Sequence, residues 1–405
     1  MSLKTLRNFI LMFSLLILAG GIGYNLGKYE VSLSWKNFKP QFSVTNTAPP
    51  ASRPIDFSLF WDVWDRLEKN YIDKKALDPQ KMVWGAISGM VQSLGDPYTA
   101  FLTPQQQKET KEELGGQFEG IGAQLGIKDK KIVVVAPLKD TPAEKAGIKA
   151  GDWIVKVDGK DTASWTLPEA VSEIRGPRGT KVVLTIIHEG EEKPVEIAIT
   201  RDTILVESVE WQEKKGIAYL KLSRFGDQTS AEWEKAVREI VSSYQKEDVR
   251  GLVLDLRNNP GGYLSGAVYI GGEFLPVGTL IVQQEQASGA RQTYSVDRQG
   301  KLLDIPMTIL INKGSASASE IVAGALRDHN RAKLVGEISF GKGSIQEAQD
   351  LPGGAGLHIT TAKWLLPKGE WINGTGIKPD FEVKMDEKDA TADPQLEKAI
   401  ELLLK

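Results

Sequence analysis

Gly251-Leu-Val-Leu-Asp-Leu-Arg-Asn-Asn-Pro-Gly-Gly262 is a short apolar run that stops at a polar turn, and a helical pattern resumes at about Leu264. Such a run, with almost no polar alternation, reads as a strand covered on both faces. Its paired glycines let the backbone come close to whatever lies beyond the strand end. N–H groups freed at such a turn suit an anion or a developing oxyanion. The plainer reading is a strand-to-helix connection and nothing more.

The same pattern recurs on both sides. Upstream, a strand over 217–222 leads to a helix over 230–244 that puts Trp233, Val237 and Ile240 on one face. Downstream, a strand over 307–311 enters Gly314-Ser-Ala-Ser-Ala-Ser-Glu320 and a helix over 321–328, and 333–335 is another short strand. Strand followed by helix, repeated, predicts a layered α/β core with ligands at the strand C-terminal ends.

The GSASASE turn has two readings. Ser317-x-x-Glu320 is a capping box, with the serine as N-cap and the glutamate at N3. Three small hydroxyl residues exceed what a cap needs, however, and a helix N-terminus stabilises negative charge beside a nucleophile. A nucleophilic serine needs a base. The three histidines, His188, His329 and His358, are scattered and show no metal-ligand spacing, so neither a zinc site nor a Ser-His-Asp triad has sequence support. A lysine can serve if its amine is neutral, which requires a shift of about 3 units and therefore burial. Lys342, in Gly336-Glu-Ile-Ser-Phe-Gly-Lys-Gly-Ser-Ile-Gln346, has apolar and glycine neighbours that can bury its stem, and Gln346 can orient the amine. The competing reading is a solvated loop lysine. The stretch also contains GxxxxGK, but Gly343 stands where a nucleotide-binding loop needs Ser or Thr, and Pro352 leaves little room for its helix.

The chain has 405 residues, 41% hydrophobic and 25% charged, enough for two or three domains. A net charge of −3 provides no basic footprint for nucleic acid, and the absence of cysteine removes disulfides, thiol nucleophiles and Cys-metal sites. At the N-terminus, Lys4 and Arg7 precede an apolar stretch over 9–27 that is just long enough to span a bilayer. It reads as a signal anchor in preference to a cleaved signal peptide, with the body outside the cytoplasm and lipid as a partner of residues 1–28. Residues 29–55 carry Pro40, Pro49, Pro50 and Pro54 and read as a linker of extended character. Phe57, Phe60, Trp61, Trp64 and Leu67 recur at helical spacing and are expected in a core; a second helix runs from Pro79 to about Leu94, within a helical region over 56–115. Residues 116–201 change to short β-rich runs with two small helices, a compact module of their own.

Several of these stretches resemble, in order, the carboxyl-terminal processing peptidases, also called tail-specific proteases: Gly95-Asp-Pro-Tyr-Thr99, a PDZ-like module, LRNNPGG over 256–262, GSASASEI over 314–321, FGKGSIQ over 340–346, and the closing PKGEWINGTGIKPD over 367–380. The resemblance spans about 57–383. It implies a Clp protease/crotonase-like ββα core over 202–385, an inserted PDZ-like β-rich domain over 116–201, a helical N-terminal segment, and a helical tail over 386–405. It further implies that Ser317 is the nucleophile, Lys342 the base and Gln346 its holder, with an oxyanion hole from Ala318 and either Gly261 or Gly262. In the PDZ-like module, Gly120, Ile121, Gly122 and Ala123 stand at the carboxylate-binding loop, where N–H groups capture a C-terminal carboxylate and the peptide adds to a sheet edge. Arg175 is there either a relay to the catalytic part or an exposed structural residue. The activity implied is a serine endopeptidase acting on protein tails in a bacterial envelope, without metal or organic cofactor, as a homo-oligomer or with an activating partner. The competing class is a catalytically silent, membrane-tethered PDZ adaptor.

Overall fold

The computed structural model describes residues 12, 31–36, 39–44, 56–128, 131–385 and 392–405. They fall into two compact units, Met1–Met82 and Val83–Lys405. The stretch expected to be an anchor lies, apart from Met12, outside the described residues, and among those described no helix is long and apolar enough to cross a membrane.

In the first unit, β1 (Val31–Lys36) and β2 (Lys39–Val44) pair antiparallel inside the expected linker. The alternation Val31, Leu33, Trp35 favours a strand over an unpaired tether. The aromatic segment forms α1 (Ser58–Asn70), as its period predicts, but the helix holds no buried residue, and Leu59 is 72% exposed. The expectation of a core position therefore fails. Helical spacing shows that a face is apolar without supplying the surface that covers it. Its rings instead meet one another, Phe60 lying 5.0 Å from Trp61 edge to face.

The second unit opens with most of α2 (Pro79–Gln92), followed by β3 (Ala100–Leu102) and α3 (Pro104–Gly115). The antiparallel ribbon of β4 (Gln117–Gly120) and β11 (Asp202–Leu205) brackets a β-rich module. Inside it run β5 (Ala123–Lys128), β6 (Lys131–Pro137), α4 (Pro142–Lys145), β7 (Trp153–Val157), β8 (Lys160–Asp161), α5 (Leu167–Ile174), β9 (Lys181–Ile187) and β10 (Val195–Thr200). The strand order is β10-β9-β7-β6-β5, which leaves β5 at an edge. Ile132, Val134, Ile154, Leu184 and Ile186 form the core of this module.

The remainder is α/β. A six-stranded sheet has the order β12-β13-β14-β17-β18-β21: β12 (Val209–Lys214), β13 (Ile217–Leu222), β14 (Leu252–Asp255), β17 (Met307–Ile311), β18 (Lys333–Gly336) and β21 (Phe381–Glu382). From β13 onward it is parallel, joined by α6 (Thr229–Gln245), α7 (Leu264–Gly271) and α8 (Ala318–Asp328). Along β14, Leu252 and Leu254 join the main core with Trp233 of α6, whereas Val253 faces the opposite layer with Leu396, Ala399 and Ile400 of α9 (Pro394–Leu404). The continuous apolar run is thus a strand covered on both faces. Trp233 is fully buried, and truncating such a side chain costs about 3–5 kcal/mol. The C-terminal helix packs on its own domain.

A second sheet was not legible in the sequence. It runs β16-β15-β20-β19, with β3 also on β20: β15 (Leu280–Gln286), β16 (Arg291–Ser295), β19 (Ser344–Asp350) and β20 (Gly356–Leu365). SIQEAQD and RQTYS are poor in branched residues and are strands because long-range partners pair with them.

Candidate active site

Two strand ends meet at the site. The turn after β14 and the turn after β17 are stitched together by side chains. Ser315 Oγ donates to the Leu256 carbonyl (2.8 Å), Ser319 Oγ to the Asn259 carbonyl (2.9 Å), and the Ala316 N–H to the same carbonyl (3.0 Å). Asn312 exchanges hydrogen bonds of 2.9 Å each with the Asn258 backbone and side chain. Both outer serines are fully buried. The three hydroxyls that seemed more than a cap requires therefore divide: two are fasteners, and Ser317, half-buried, is the one left over.

Ser317 has φ 54° and ψ −113°, a left-handed conformation that a non-glycine residue adopts only when its surroundings hold it there. It initiates α8, whose first residue, Ala318, has an N–H with no intrahelical acceptor. Glu320 accepts the Ser317 N–H at 2.8 Å, the expected half of the capping box. In the other half, the hydroxyl faces the first turn without making a cap hydrogen bond of full distance and angle.

The Glu320 carboxylate is 1% exposed and accepts three further donors: Ser339 Oγ and the Gly341 N–H at 2.6 Å each, and the Lys342 N–H at 3.0 Å. One buried carboxylate thus holds the backbones of both Ser317 and Lys342. Reading Glu320 only as a cap missed this, since no local pattern reveals donors about 20 residues downstream.

Both glycines around Lys342 are required by close approach. A Cβ on Gly341, at φ 88°, would sit 2.7 Å from the Gly376 nitrogen, and one on Gly343 would sit 2.6 Å from Trp371 Nε1. Trp371 Nε1 donates to the Gly343 carbonyl and Trp364 Nε1 to the Lys342 carbonyl, each at 2.9 Å. The lysine is followed by β19 and not by a helix, so GKG has no phosphate cradle. Burial pushes the Lys342 amine below its ordinary value, against Asp96 and Glu320, which raise it. Its Nζ stands 5.1 Å from the centroid of the Tyr98 ring. Gln346 directs its amide nitrogen to Ser344 Oγ (2.9 Å) and Thr360 Oγ1 (3.0 Å).

The paired glycines differ. Gly261 lies against the serine turn, since a Cβ there would be 2.9 Å from Ser317 Cβ and 3.0 Å from the Ala318 nitrogen, and its N–H donates to Asn259 Oδ1 at 2.9 Å. A Cβ on Gly262 would meet the Phe225 carbonyl oxygen at 2.1 Å. Among the described residues, the Gly262 N–H has no acceptor.

In the β-rich module, Gly120 ends β4 and Ala123 begins the edge strand β5. The carbonyls of Ile121 and Gly122 are taken by the Ala143 and Leu138 N–H groups, both at 2.8 Å. Arg175, just after α5, lies 4.5 Å over the Phe118 ring. It lines a cleft of about 800 Å³ with Phe118, Val171 and Arg224, between this module, α3 and the chain following β13.

Parallel strand ends, a strained serine and a half-buried lysine thus come to one place, and comparison with known proteins identifies the family. Residues 216–383 match peptidase family S41, 133–187 match a PDZ domain, and 21–106 match the N-terminal domain of the activating protease CtpB. The carboxy-terminal-processing protease of Bartonella bacilliformis is 41% identical over 329 residues, covering 80% of this chain and 74% of that one. The carboxy-terminal processing protease CtpB of Bacillus subtilis is 34% identical over 392 residues, covering 95% and 79%. A solved structure from Bacteroides fragilis assigned to the S41 proteases superposes with a TM-score of 0.56 at 17% identity, covering 88% and 99%, and shares the fold. The chain belongs to peptidase family S41. Within that family it is a carboxy-terminal processing serine protease that carries a PDZ domain.

Proposed function

We propose that Ser317 and Lys342 form the catalytic dyad. The observation that carries this reading is the division of the three serines: Ser315 and Ser319 donate to buried carbonyls, while Ser317, on a strained turn, faces the first turn of α8 as an acceptor and donates its hydroxyl to no described group. The same Glu320 carboxylate also fixes Lys342, and burial favours the neutral amine. The neutral amine takes the Ser317 Oγ proton as the oxygen attacks the scissile carbonyl, and the ammonium formed returns that proton to the leaving amine. The developing oxyanion meets the Ala318 and Gly262 N–H groups, neither of which has an acceptor among the described residues, with Gly261 supplying the close approach. Water then enters through the same base and releases the acyl group. Gln346 acts on the lysine through Ser344 and the β19–β20 pair, or directly after its amide turns.

The substrate is a protein tail. Its carboxylate is captured at Gly120, Ile121, Gly122 and Ala123, and its last residues add as a strand to the free edge of β5 beside α5. Arg175, between that loop and the cleft reaching Arg224, relays occupancy to the catalytic part. The apolar stretch over 9–27 anchors the enzyme in the membrane with its body in the cell envelope. No step in this chemistry requires a metal or organic cofactor.

Residues 57–405 incubated with an unfolded protein ending in apolar residues should cleave it, and Ser317→Ala and Lys342→Ala should each abolish cleavage. Equal cleavage by all three would remove the dyad. Amidating the substrate's C-terminus should weaken binding, and unchanged affinity would count against carboxylate capture.

A further inference from the structure

The turn Gly95–Thr99 has no role in the scheme above, yet it stands against the catalytic lysine. Tyr98 places its ring under the Lys342 amine, 5.1 Å from centroid to Nζ. Asp96 is held with unusual care for a surface turn. Its Oδ1 accepts the Tyr98 N–H (3.0 Å) and its Oδ2 accepts Thr99 Oγ1 (2.6 Å). The Thr360 N–H donates to Thr99 Oγ1 at 3.0 Å, and Thr360 Oγ1 accepts Gln346 Nε2 at 3.0 Å. The turn is therefore hydrogen-bonded into the β19–β20 pair that follows the lysine. It also lines an open cleft of about 660 Å³ that reaches Ser344 and Trp371, so it is not merely a buried connector.

We propose that Asp96 and Tyr98 are positioning residues for the catalytic base: the carboxylate sets the charge state of the Lys342 amine and the ring fixes where that amine stands. The inference rests on Lys342 being the base. Among the described residues, four titratable groups act on or stand against the amine: Asp96 and Tyr98 from this turn, Glu320 from α8 and His358 from β20. Burial pushes His358 toward neutrality, as does Lys342, and burial with Glu320 and Asp96 keeps the Tyr98 phenol protonated. The anions left to oppose the desolvation of the lysine are Asp96 and Glu320. Glu320 spends its oxygens on four donors, so Asp96 is the anion whose removal leaves the serine and lysine backbones in place.

Asp96→Asn keeps an acceptor for the Tyr98 N–H and removes the charge, while the Thr99 hydroxyl that Oδ2 accepts must turn to accept from the new amide. Losing a neighbouring anion favours the neutral amine. The acid limb of kcat/KM for tail cleavage should move to lower pH by about one unit, with KM unchanged, while Asp96→Glu should leave the limb near its wild-type position. A purely structural role would lower the plateau in both variants and shift neither limb. Lysine ε-carbon NMR, with the Lys342 resonance identified by its loss in Lys342→Arg, should show the same downward displacement of the amine's own titration. If Asp96→Asn does not fold, Asp96→Ser, which keeps a short acceptor and removes the charge, carries the same expectation. An amine titration that does not move overturns the proposal. An amine titration that moves while the activity limb stays upholds only Asp96 as the anion acting on the Lys342 amine and overturns the assignment of Lys342 as base, on which the proposal rests.

Discussion

Replacing Glu320 with glutamine changes one atom in the most constrained part of the site. The carboxylate oxygens accept two donors each: Ser339 Oγ and the Gly341 N–H on one, the Ser317 and Lys342 N–H groups on the other. An amide has one acceptor oxygen. Its less costly orientation turns the NH2 toward Ser339, whose hydroxyl can rotate to accept, and leaves the Gly341 N–H buried without a partner. That orphan costs about 1–3 kcal/mol, and the two bonds that survive lose charge assistance, about 1 kcal/mol each. Relief from burying a carboxylate works in the opposite direction, but the N-terminus of α8 already favours that charge, so the offset is partial. The net destabilisation should be about 2–4 kcal/mol in urea unfolding of the catalytic transition. Because the lost contacts hold the serine and lysine backbones together, kcat should fall at least tenfold with KM little changed. A loss below about 1 kcal/mol with kcat intact would refute the claim that this carboxylate assembles the site.

Other outcomes follow from particular contacts. Ser317→Gly relieves the φ 54° conformation and should stabilise the protein by about 1 kcal/mol while abolishing cleavage; Ser317→Ala keeps the strain and should not stabilise it. A glycine variant less stable than wild type would show that the turn is unstrained. Gly343→Ala drives a Cβ into the Trp371 indole and should cost about 1–3 kcal/mol and at least a factor of ten in kcat, read by thermal melting and single-turnover cleavage. Arg257 joins the turn after β14 to the C-terminal helix through two bonds to Asp393, of 2.9 and 2.8 Å. Asp393→Asn should cost about 1–2 kcal/mol at neutral pH. Burial raises the Asp393 carboxyl, but Arg257 and the Leu396 N–H outweigh it and hold the group below its ordinary value. The wild-type advantage is therefore complete above the unfolded aspartate value near pH 4 and closes as pH falls through the lower folded value, a window that acid titration of both unfolding curves would reveal.

Repeated strand-to-helix alternation and the apolar run over 252–254 made the parallel core legible, because burial on both faces leaves a local signature in residue type. The second sheet left none: Ser344–Asp350 and Arg291–Ser295 are strands by virtue of their partners. The aromatic helix Ser58–Asn70 shows the opposite failure, since its period was readable and its burial was not. Motifs singled out the segments around Ser317 and Lys342, and Gly95–Thr99 with them, yet Glu320 looked like an ordinary cap and no motif gave Asp96 or Tyr98 a task of its own. Their roles come from groups about 20 to 260 residues away along the chain, beyond the reach of any periodicity.

The sequence by itself determined that glycines and small residues would end two core strands, that a serine-bearing turn would open a helix, and that a lysine would sit between two glycines. Those facts are local, set by steric permission and by the pattern of burial along one segment. Only the tertiary structure decided which of three serines keeps a free hydroxyl, which carboxylate ties that serine to its lysine, and which turn faces the amine. Each is a question of where donors and acceptors end after distant segments pack, and a buried polar group takes its function from the partners it finds there.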